Sequence, residues 1–143
     1  MKEEPLTLEE LYKIYRKDVG LERRLTESKK WLEIFPSPGK IIVTIEFPEF
    51  TCLCPRTGHP DFANITIKYI PNDWCVELKS WKYYLNSFRN EGHFHEEVVH
   101  MIEKDARNVL LPKKLTIIGD FNVRGGTHPI IGAGDNIDFG GIE

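Results

Sequence analysis

The chain has 143 residues, of which 41% are hydrophobic and 29% are charged, values typical of one soluble globular domain. No apolar run approaches the roughly 18 residues that a membrane span needs, and a formal net charge of −3 argues against a nucleic-acid-binding surface. Residues 1–5 contain no apolar signal core, and three cysteines do not form a secreted disulfide pattern, so a cytoplasmic protein is expected without membrane or direct nucleic-acid partners.

The first 39 residues are predicted to contain one helix and a loop. Apolar residues recur with helical spacing over 6–17, which indicates a short amphipathic helix. The Pro-Ser-Pro-Gly stretch at 36–39 predicts a turn. Alternating apolar residues over 40–47 then predict a strand that is buried on one face.

The middle of the chain is predicted to hold a second strand and two helices. Residues 48–60 are expected to be loop, and 62–70 alternate again as a strand. Helical periodicity predicts helices over 80–89 and 93–110, with Ser80 as the N-cap of the first. Pro112 is expected to end the second helix.

The last part of the chain is predicted to add two strands. Residues 114–123 form the more regular one, and a weaker one is expected around 127–131. The glycine-rich tail at 132–143 is expected to be mobile. The order helix, β, β, α, α, β, β over 1–143 predicts a single α+β domain with an antiparallel sheet and two helices.

Three short motifs carry the chemistry. The octapeptide Glu77-Leu78-Lys79-Ser80-Trp81-Lys82-Tyr83-Tyr84 starts a helix whose apolar face is separate from its two lysines, and lysines so spaced suit an anionic ligand. Upstream lies Cys54-Pro55-Arg56-Thr57-Gly58-His59-Pro60-Asp61-Phe62, and downstream lies Phe94-His95-Glu96. Together with a weaker likeness at Arg124-Gly125-Gly126, these motifs resemble the QueF family of NADPH-dependent nitrile reductases.

The resemblance implies both a fold and an activity. It implies the tunnelling fold, in which subunits join edge to edge into a barrel, here a homo-oligomer based on pentamers, such as a decamer. It also implies reduction of the nitrile of 7-cyano-7-deazaguanine with NADPH, a step in the biosynthesis of queuosine for tRNA. Small sheets leave edges that must be covered, which agrees with self-association.

Cys54 and Asp61 are the catalytic residues that the resemblance implies. A thiolate can add to an electrophilic nitrile carbon, and a carboxyl group can take up and return the proton. Cys54 could instead be a small buried hydrophobic residue, and Asp61 could cap a turn or pair with Arg56. No role is assigned to Cys52 or Cys75.

The substrate pocket implied by the resemblance has two parts. The first comprises Val76, Glu77 and Leu78, and the second comprises His95 and Glu96. The Glu96 carboxylate is expected to accept hydrogen bonds from the guanidine edge of the purine-like ring. The alternative is that Glu96 only offsets the positive end of a helix.

The cofactor-binding residues implied are Lys79, Ser80, Lys82 and Arg124. The two lysines and the planar guanidinium suit phosphate groups. The chain has no Gly-x-Gly-x-x-Gly fingerprint after a strand, so a Rossmann site is excluded and NADPH is expected in a cleft between subunits. The alternative for these charges is a solvated helix face.

Three rival functions remain open. A zinc-dependent hydrolase related to GTP cyclohydrolases could use Cys52, Cys54 and His59, but no further cysteine pair completes a tetrahedral site, so no metal site is expected. An amidinotransferase relative acts on the same nitrile without a nicotinamide cofactor, and the motif Lys79-Ser80-x-Lys82 favours the reductase. A non-catalytic deazapurine-binding module is the third, and it would differ by an unreactive Cys54.

Overall fold

The computed structural model describes residues 4–10 and 20–137, which contain seven β-strands and two long helices. The strands are β1 Glu22–Leu25, β2 Trp31–Pro36, β3 Val43–Leu53, β4 Pro60–Ile70, β5 Trp74–Val76, β6 Lys114–Phe121 and β7 Ile130–Gly134; the helices are α1 Leu78–Asn86 and α2 His95–Leu110. Residues 8–10 are helical, and most of the helix predicted at 6–17 lies outside the described residues.

The strands form two antiparallel sheets. The larger has the order β3-β4-β6-β7, and the smaller has the order β1-β2-β5. The predicted α+β class with an antiparallel sheet is therefore confirmed. The smaller sheet was not predicted, because residues 22–36 were interpreted as loop. The alternation that identifies β2 is short: Leu32 and Ile34 are fully buried on either side of Glu33.

Strand β3 is longer than predicted. The sequence predicts that it ends before Pro48, since proline has no N–H to donate to a sheet. The pairing of β3 with β4 shifts register between Phe47 and Phe50. This irregularity at Pro48 and Glu49 accommodates the proline within the strand. The strand then continues to Leu53, which brings its end next to Cys54.

The two helices cover the core. Trp81, Tyr84, Leu85 and Phe88 are buried, as the periodicity of α1 predicts. The prediction of Ser80 as the N-cap is wrong: the cap is Glu77, whose carboxylate reaches the free N–H groups of the first turn. Helix α2 packs closely on β6, because a Cβ on Gly119 would come within 2.7 Å of Val99 Cγ2.

The glycine-rich end begins as a strand. Residues 130–134 pair with β6, so the first part of the predicted mobile tail is ordered. Asp135 then accepts hydrogen bonds at 3.1 Å from both the Leu115 N–H and Arg107. Residues 138–143 lie outside the described residues. Within residues 4–10 and 20–137, neither helix is long and apolar enough to cross a membrane.

Candidate active site

Cys54 lies in the tight connection between β3 and β4. Its N–H donates to the His59 carbonyl at 2.8 Å, and its own carbonyl accepts from the Gly58 N–H at 2.9 Å. Gly58 has a φ of +71°, a conformation that glycine adopts without strain. The thiol is therefore half-exposed at the end of a rigid hairpin, a placement that suits a nucleophile.

The surroundings of Cys54 favour its thiolate. The Thr57 hydroxyl contributes most, followed by the backbone N–H groups of Arg56 and Thr57, and Arg124 adds a further hydrogen bond. Together they lower the pKa of the Cys54 thiol from 9.0 to about 7. A thiol with such a pKa is substantially ionised at neutral pH, which is the form that attacks electrophiles.

The other two cysteines are buried. Cys52 lies in the core, and its burial, followed by the charge of Asp61, raises the pKa of its thiol to about 12. Cys75 is 3% exposed, on the short strand β5. Buried thiols of this kind are chemically inert, so Cys54 is the cysteine poised to react.

Asp61 is a buried carboxylate on the core-facing side of β4. It pairs in register with Cys52, and its side chain is only 4% exposed. Oδ1 contacts Nη1 of Arg124, and Oδ2 lies 3.3 Å from Nε2 of His95. Its basic partner is thus Arg124 rather than Arg56, the partner that the sequence offers as an alternative.

A cavity of about 340 Å³ opens beside this carboxylate. His95, the first residue of α2, lines it and stacks on Phe121, with ring centroids 3.9 Å apart and planes 18° apart. The remaining lining residues are His59, Pro60, Asp61, Phe62, Asn122, Val123 and Arg124. A carboxylate, an imidazole and a guanidinium therefore converge on one pocket. Cys54 does not line it but hydrogen-bonds to Arg124, which does.

The segment Val76–Leu78 does not line this pocket in the described part of the chain. Val76 is buried, and its N–H donates to the Tyr69 hydroxyl at 2.9 Å. The Glu77 carboxylate accepts from the N–H groups of Lys79 at 2.9 Å and Ser80 at 2.7 Å. Leu78 is 62% exposed. One chain thus keeps the two predicted halves of the substrate pocket apart.

The predicted cofactor residues differ in how well they suit phosphates. Lys79 and Lys82 are exposed on α1, whose first turn has no acidic residue. The Ser80 hydroxyl is already used, since it accepts from the Glu33 N–H at 2.9 Å and donates to the Glu77 carbonyl at 2.8 Å. The lysines fit an anionic group, whereas the Ser80 side chain holds α1 against β2.

Glu96 is exposed in the first turn of α2 and, among the described residues, has no hydrogen-bond or ion-pair partner. The next residue, Glu97, accepts from the Phe94 N–H at 3.1 Å and so performs the capping role. The Glu96 carboxylate is therefore available to a ligand.

Four contributors to this site were not predicted from the sequence. Thr57 follows Cys54 by three residues in the turn, and its hydroxyl could have been noted as a thiol partner. Phe121 stacks on His95 across 26 positions of sequence, and no local pattern indicates that contact. Glu91 and His93 lie beside the end of β3, for which the sequence likewise gives no signal.

Comparisons with known proteins place this geometry in a family. The family model described as QueF-like protein matches residues 60–136. A Thermomicrobium roseum protein named NADPH-dependent 7-cyano-7-deazaguanine reductase is 52% identical over 111 residues, covering 76% of this chain and 87% of the relative. The chain belongs to the QueF family. A QueF protein of the same name from Aquifex aeolicus is 44% identical over 115 residues, which cover 78% of this chain and 89% of the Aquifex protein.

A solved structure shares the fold. The apo form of the archaeosine synthase QueF-Like superposes on this chain with a TM-score of 0.60. The superposition covers 68% of this chain and 94% of the archaeosine synthase chain. The two sequences are 17% identical, so this likeness concerns the fold alone.

Proposed function

We propose that this QueF protein reduces the nitrile of 7-cyano-7-deazaguanine to an aminomethyl group with NADPH, in the pathway to queuosine. The observation that carries the proposal is that Arg124 contacts both the buried Asp61 carboxylate and Cys54, whose thiol pKa is lowered to about 7. The names of relatives about half identical to this chain support the substrate and the cofactor.

Cys54 begins the reaction in this proposal. Its thiolate adds to the nitrile carbon, one π bond of the nitrile breaks, and the nitrogen takes up a proton to give a covalent thioimide. Covalent capture replaces one difficult reduction with easier steps on a C=N group. NADPH, when bound, supplies hydride, and converting a nitrile into an amine takes two such transfers.

Asp61 and His95 transfer the proton that the nitrile nitrogen takes up in this proposal. A carboxyl group that carries a proton is neutral, so Asp61 must leave its ion pair with Arg124 before it can serve as an acid. His95, 3.3 Å from the same carboxylate, can hold or pass the proton meanwhile. Movement of Arg124 is therefore part of the proposed cycle. Arg124 is exposed and lies after β6, directly before Gly125 and Gly126, a position that allows this movement.

Lys79 and Lys82 would hold the phosphates of NADPH, and Arg124 could join them once it leaves Asp61. Both lysines are exposed, and Lys79 Nζ lies 5.9 Å from the ring centroid of Tyr83. Within residues 4–10 and 20–137 neither lysine forms an ion pair, so both can reach a ligand without breaking one. The Ser80 side chain is assigned a structural role instead, since its hydroxyl is committed to Glu33 and Glu77.

The substrate site is proposed to be completed by a second copy of the chain. Val76, Glu77 and Leu78 lie apart from the pocket that holds Asp61 and His95. In the described part of the chain, β3 and β7 are the edges of the larger sheet and are open to pairing. Edge-to-edge association into a homo-oligomer, pentamer-based as in the tunnelling fold, would bring the two halves together.

Turnover with purified protein tests the proposal. Mixing the chain with 7-cyano-7-deazaguanine and NADPH should oxidise two NADPH per nitrile consumed, measured by absorbance and by product mass. A ratio of one, or product formation without NADPH oxidation, would contradict it. Consumption of the nitrile with ammonia but without NADPH would instead identify an amidinotransferase, the rival that acts on the same nitrile.

A further inference from the structure

Residues Glu91, Gly92 and His93, which we call the bracing segment, run alongside the residue that precedes Cys54. The Leu53 N–H donates to the Glu91 carbonyl at 2.9 Å, and the His93 N–H donates to the Leu53 carbonyl at 3.0 Å. These two bonds form a parallel bridge between Leu53 and Gly92. The backbone immediately before the nucleophile is therefore held from outside its own hairpin.

The bracing segment also lies close to the residue after the nucleophile. A Cβ built on Gly92 would make an ordinary van der Waals contact with the Cα of Pro55, 3.6 Å away. The bracing segment thus flanks both chain neighbours of Cys54. Fixing the backbone on both sides of a nucleophile restricts the directions in which its side chain can approach a substrate.

A partly buried polar network holds the bracing segment in place. The Glu91 carboxylate lies 2.5 Å from Lys30 Nζ and 2.9 Å from His93 Nε2. Lys30, from the turn between β1 and β2, also lies 4.4 Å above the centroid of the Phe88 ring. The side chains of Lys30 and His93 are only 14% and 17% exposed, whereas that of Glu91 is 38% exposed, so solvent screens these contacts in part.

The electrostatics of Glu91 agree with this geometry. Partial burial disfavours ionisation of the carboxyl group, but hydrogen bonds from Lys30 and then His93 outweigh it and lower the pKa of Glu91. The carboxylate is thus charged across the neutral pH range, and both of its oxygens are engaged.

The chain that leaves the bracing segment reaches the other catalytic group. Two residues after His93, the His95 side chain lies 3.3 Å from the Asp61 carboxylate. Residues 91–95 therefore contact the hairpin at two places: at Leu53, which precedes the proposed nucleophile, and at Asp61, the proposed acid.

We infer that Glu91 is a positioning residue, which together with Lys30 and His93 fixes Cys54 and Asp61 relative to each other for addition to the nitrile. Glu91 acts through backbone contacts with Leu53 and through His95, and it does not touch the reacting atoms. This role rests on the proposed function, because it concerns the geometry of the same reaction.

The test compares Glu91→Ala with Glu91→Gln and with a control, Glu103→Ala. A glutamine keeps a carbonyl oxygen for Lys30 and a second polar group for His93. Glu103, whose side chain is 12% exposed, forms a comparable partly buried ion pair with Arg107, 2.6 Å away. Arg107 in turn contacts Asp135 at the end of β7. Glu103→Ala therefore reports the effect of losing an ion pair that does not brace the hairpin.

For each variant we would measure the midpoint of thermal unfolding and two rates. The first is the rate of adduct formation with 7-cyano-7-deazaguanine in the absence of NADPH. The second is the rate at which iodoacetamide alkylates Cys54 at pH 7. Glu91→Ala should slow the adduct by about ten- to a hundredfold, the range expected for a small misplacement of reacting groups. It should also slow alkylation, since the thiol loses its ordered partners. Glu91→Gln should restore both rates, and Glu103→Ala should change neither, even if its midpoint falls.

Equal rates in Glu91→Ala and the wild type, or an equal loss in Glu103→Ala, would overturn the inference. If Glu91→Ala does not fold, Lys30→Met removes the same ion pair and should show the same losses. A wild-type protein that forms no nitrile adduct would refute the proposed function instead. The alkylation rates would then still decide whether Glu91 positions Cys54.

Discussion

Arg124 contacts the carboxylate of Asp61 and also hydrogen-bonds to Cys54, so a single guanidinium links the proposed acid and the proposed nucleophile. Arg124 lies 63 positions from Asp61 in the sequence. It reaches the site because β6 pairs with β4, and because the Asn122 N–H donates to the Phe62 carbonyl at 2.9 Å. A tight turn from Arg124 to Thr127 then presents the side chain.

Arg124→Gln should therefore slow the formation of the Cys54 adduct severalfold at pH 7. The substitution removes a positive charge that stabilises the Cys54 thiolate. The matched control is Arg56→Gln, because Arg56 lies in the same hairpin but contributes only its backbone N–H to Cys54. Rates are followed by intact-protein mass. A loss of equal size in both variants would mean that general surface charge, and not the Arg124 contact, supports the reaction.

Thr57→Val should shift the pH dependence of Cys54 alkylation to higher pH. The thiolate is the reactive form, so the wild-type rate should rise with pH through a midpoint of about 7. The Thr57 hydroxyl is the largest contributor to that low pKa, and without it the thiol holds its proton to higher pH. The rate should fall at pH 7 and match the wild type well above the new midpoint.

The control for this measurement is Thr66→Val, on the outward-facing side of β4. It should leave the midpoint where it is in the wild type. An unchanged midpoint in Thr57→Val would show that the backbone N–H groups alone determine the ionisation of Cys54.

Local patterns in the sequence were sufficient for part of this structure. The alternation in β4 and the helical spacing in α1 correctly predicted which side chains are buried, since each pattern spans several turns or pleats. The cap of α1 was wrong because Glu77 competes with Ser80, and only the contact of Ser80 with Glu33 in β2 shows which one is free to cap.

Non-local contacts account for what could not be predicted. The pairing of Asp61 with Arg124, and not with nearby Arg56, depends on the register of β4 against β6. The separation of Glu77 from the cavity at Asp61 depends on the packing of α1 against the smaller sheet. Neither is encoded in residues that are close in sequence.

Replacing Lys79 and Lys82 with glutamate should raise the KM for NADPH much more than that for the nitrile. The lysines are proposed to bind phosphates equally in the ground state and the transition state, so their loss should affect KM before kcat. Steady-state kinetics with each substrate varied in turn would measure this. Lys113→Glu, an exposed lysine beyond α2, serves as the control for net charge. Equal losses for both substrates would place the lysines outside the cofactor site.

Glu96→Gln should weaken binding of the nitrile by about 1.5 to 3 kcal/mol, the contribution of a hydrogen bond to a charged group. Its carboxylate lacks a partner among the described residues and is free to accept from the substrate. Glu97→Gln is the matched control, because an amide oxygen can still accept from the Phe94 N–H. Calorimetry with the Cys54→Ser background would measure affinity without reaction. Unchanged affinity in Glu96→Gln would exclude Glu96 from the substrate site.

The most direct test of the account is the mass of the intact protein after mixing with 7-cyano-7-deazaguanine in the absence of NADPH. Addition of the Cys54 thiolate precedes any hydride transfer, so the mass should rise by one nitrile molecule per chain. Cys54→Ser should abolish the adduct, whereas Cys52→Ser and Cys75→Ser should keep it, because both of those thiols are buried. An adduct that persists in Cys54→Ser, or none in the wild type, would contradict the assignment of Cys54 as the nucleophile.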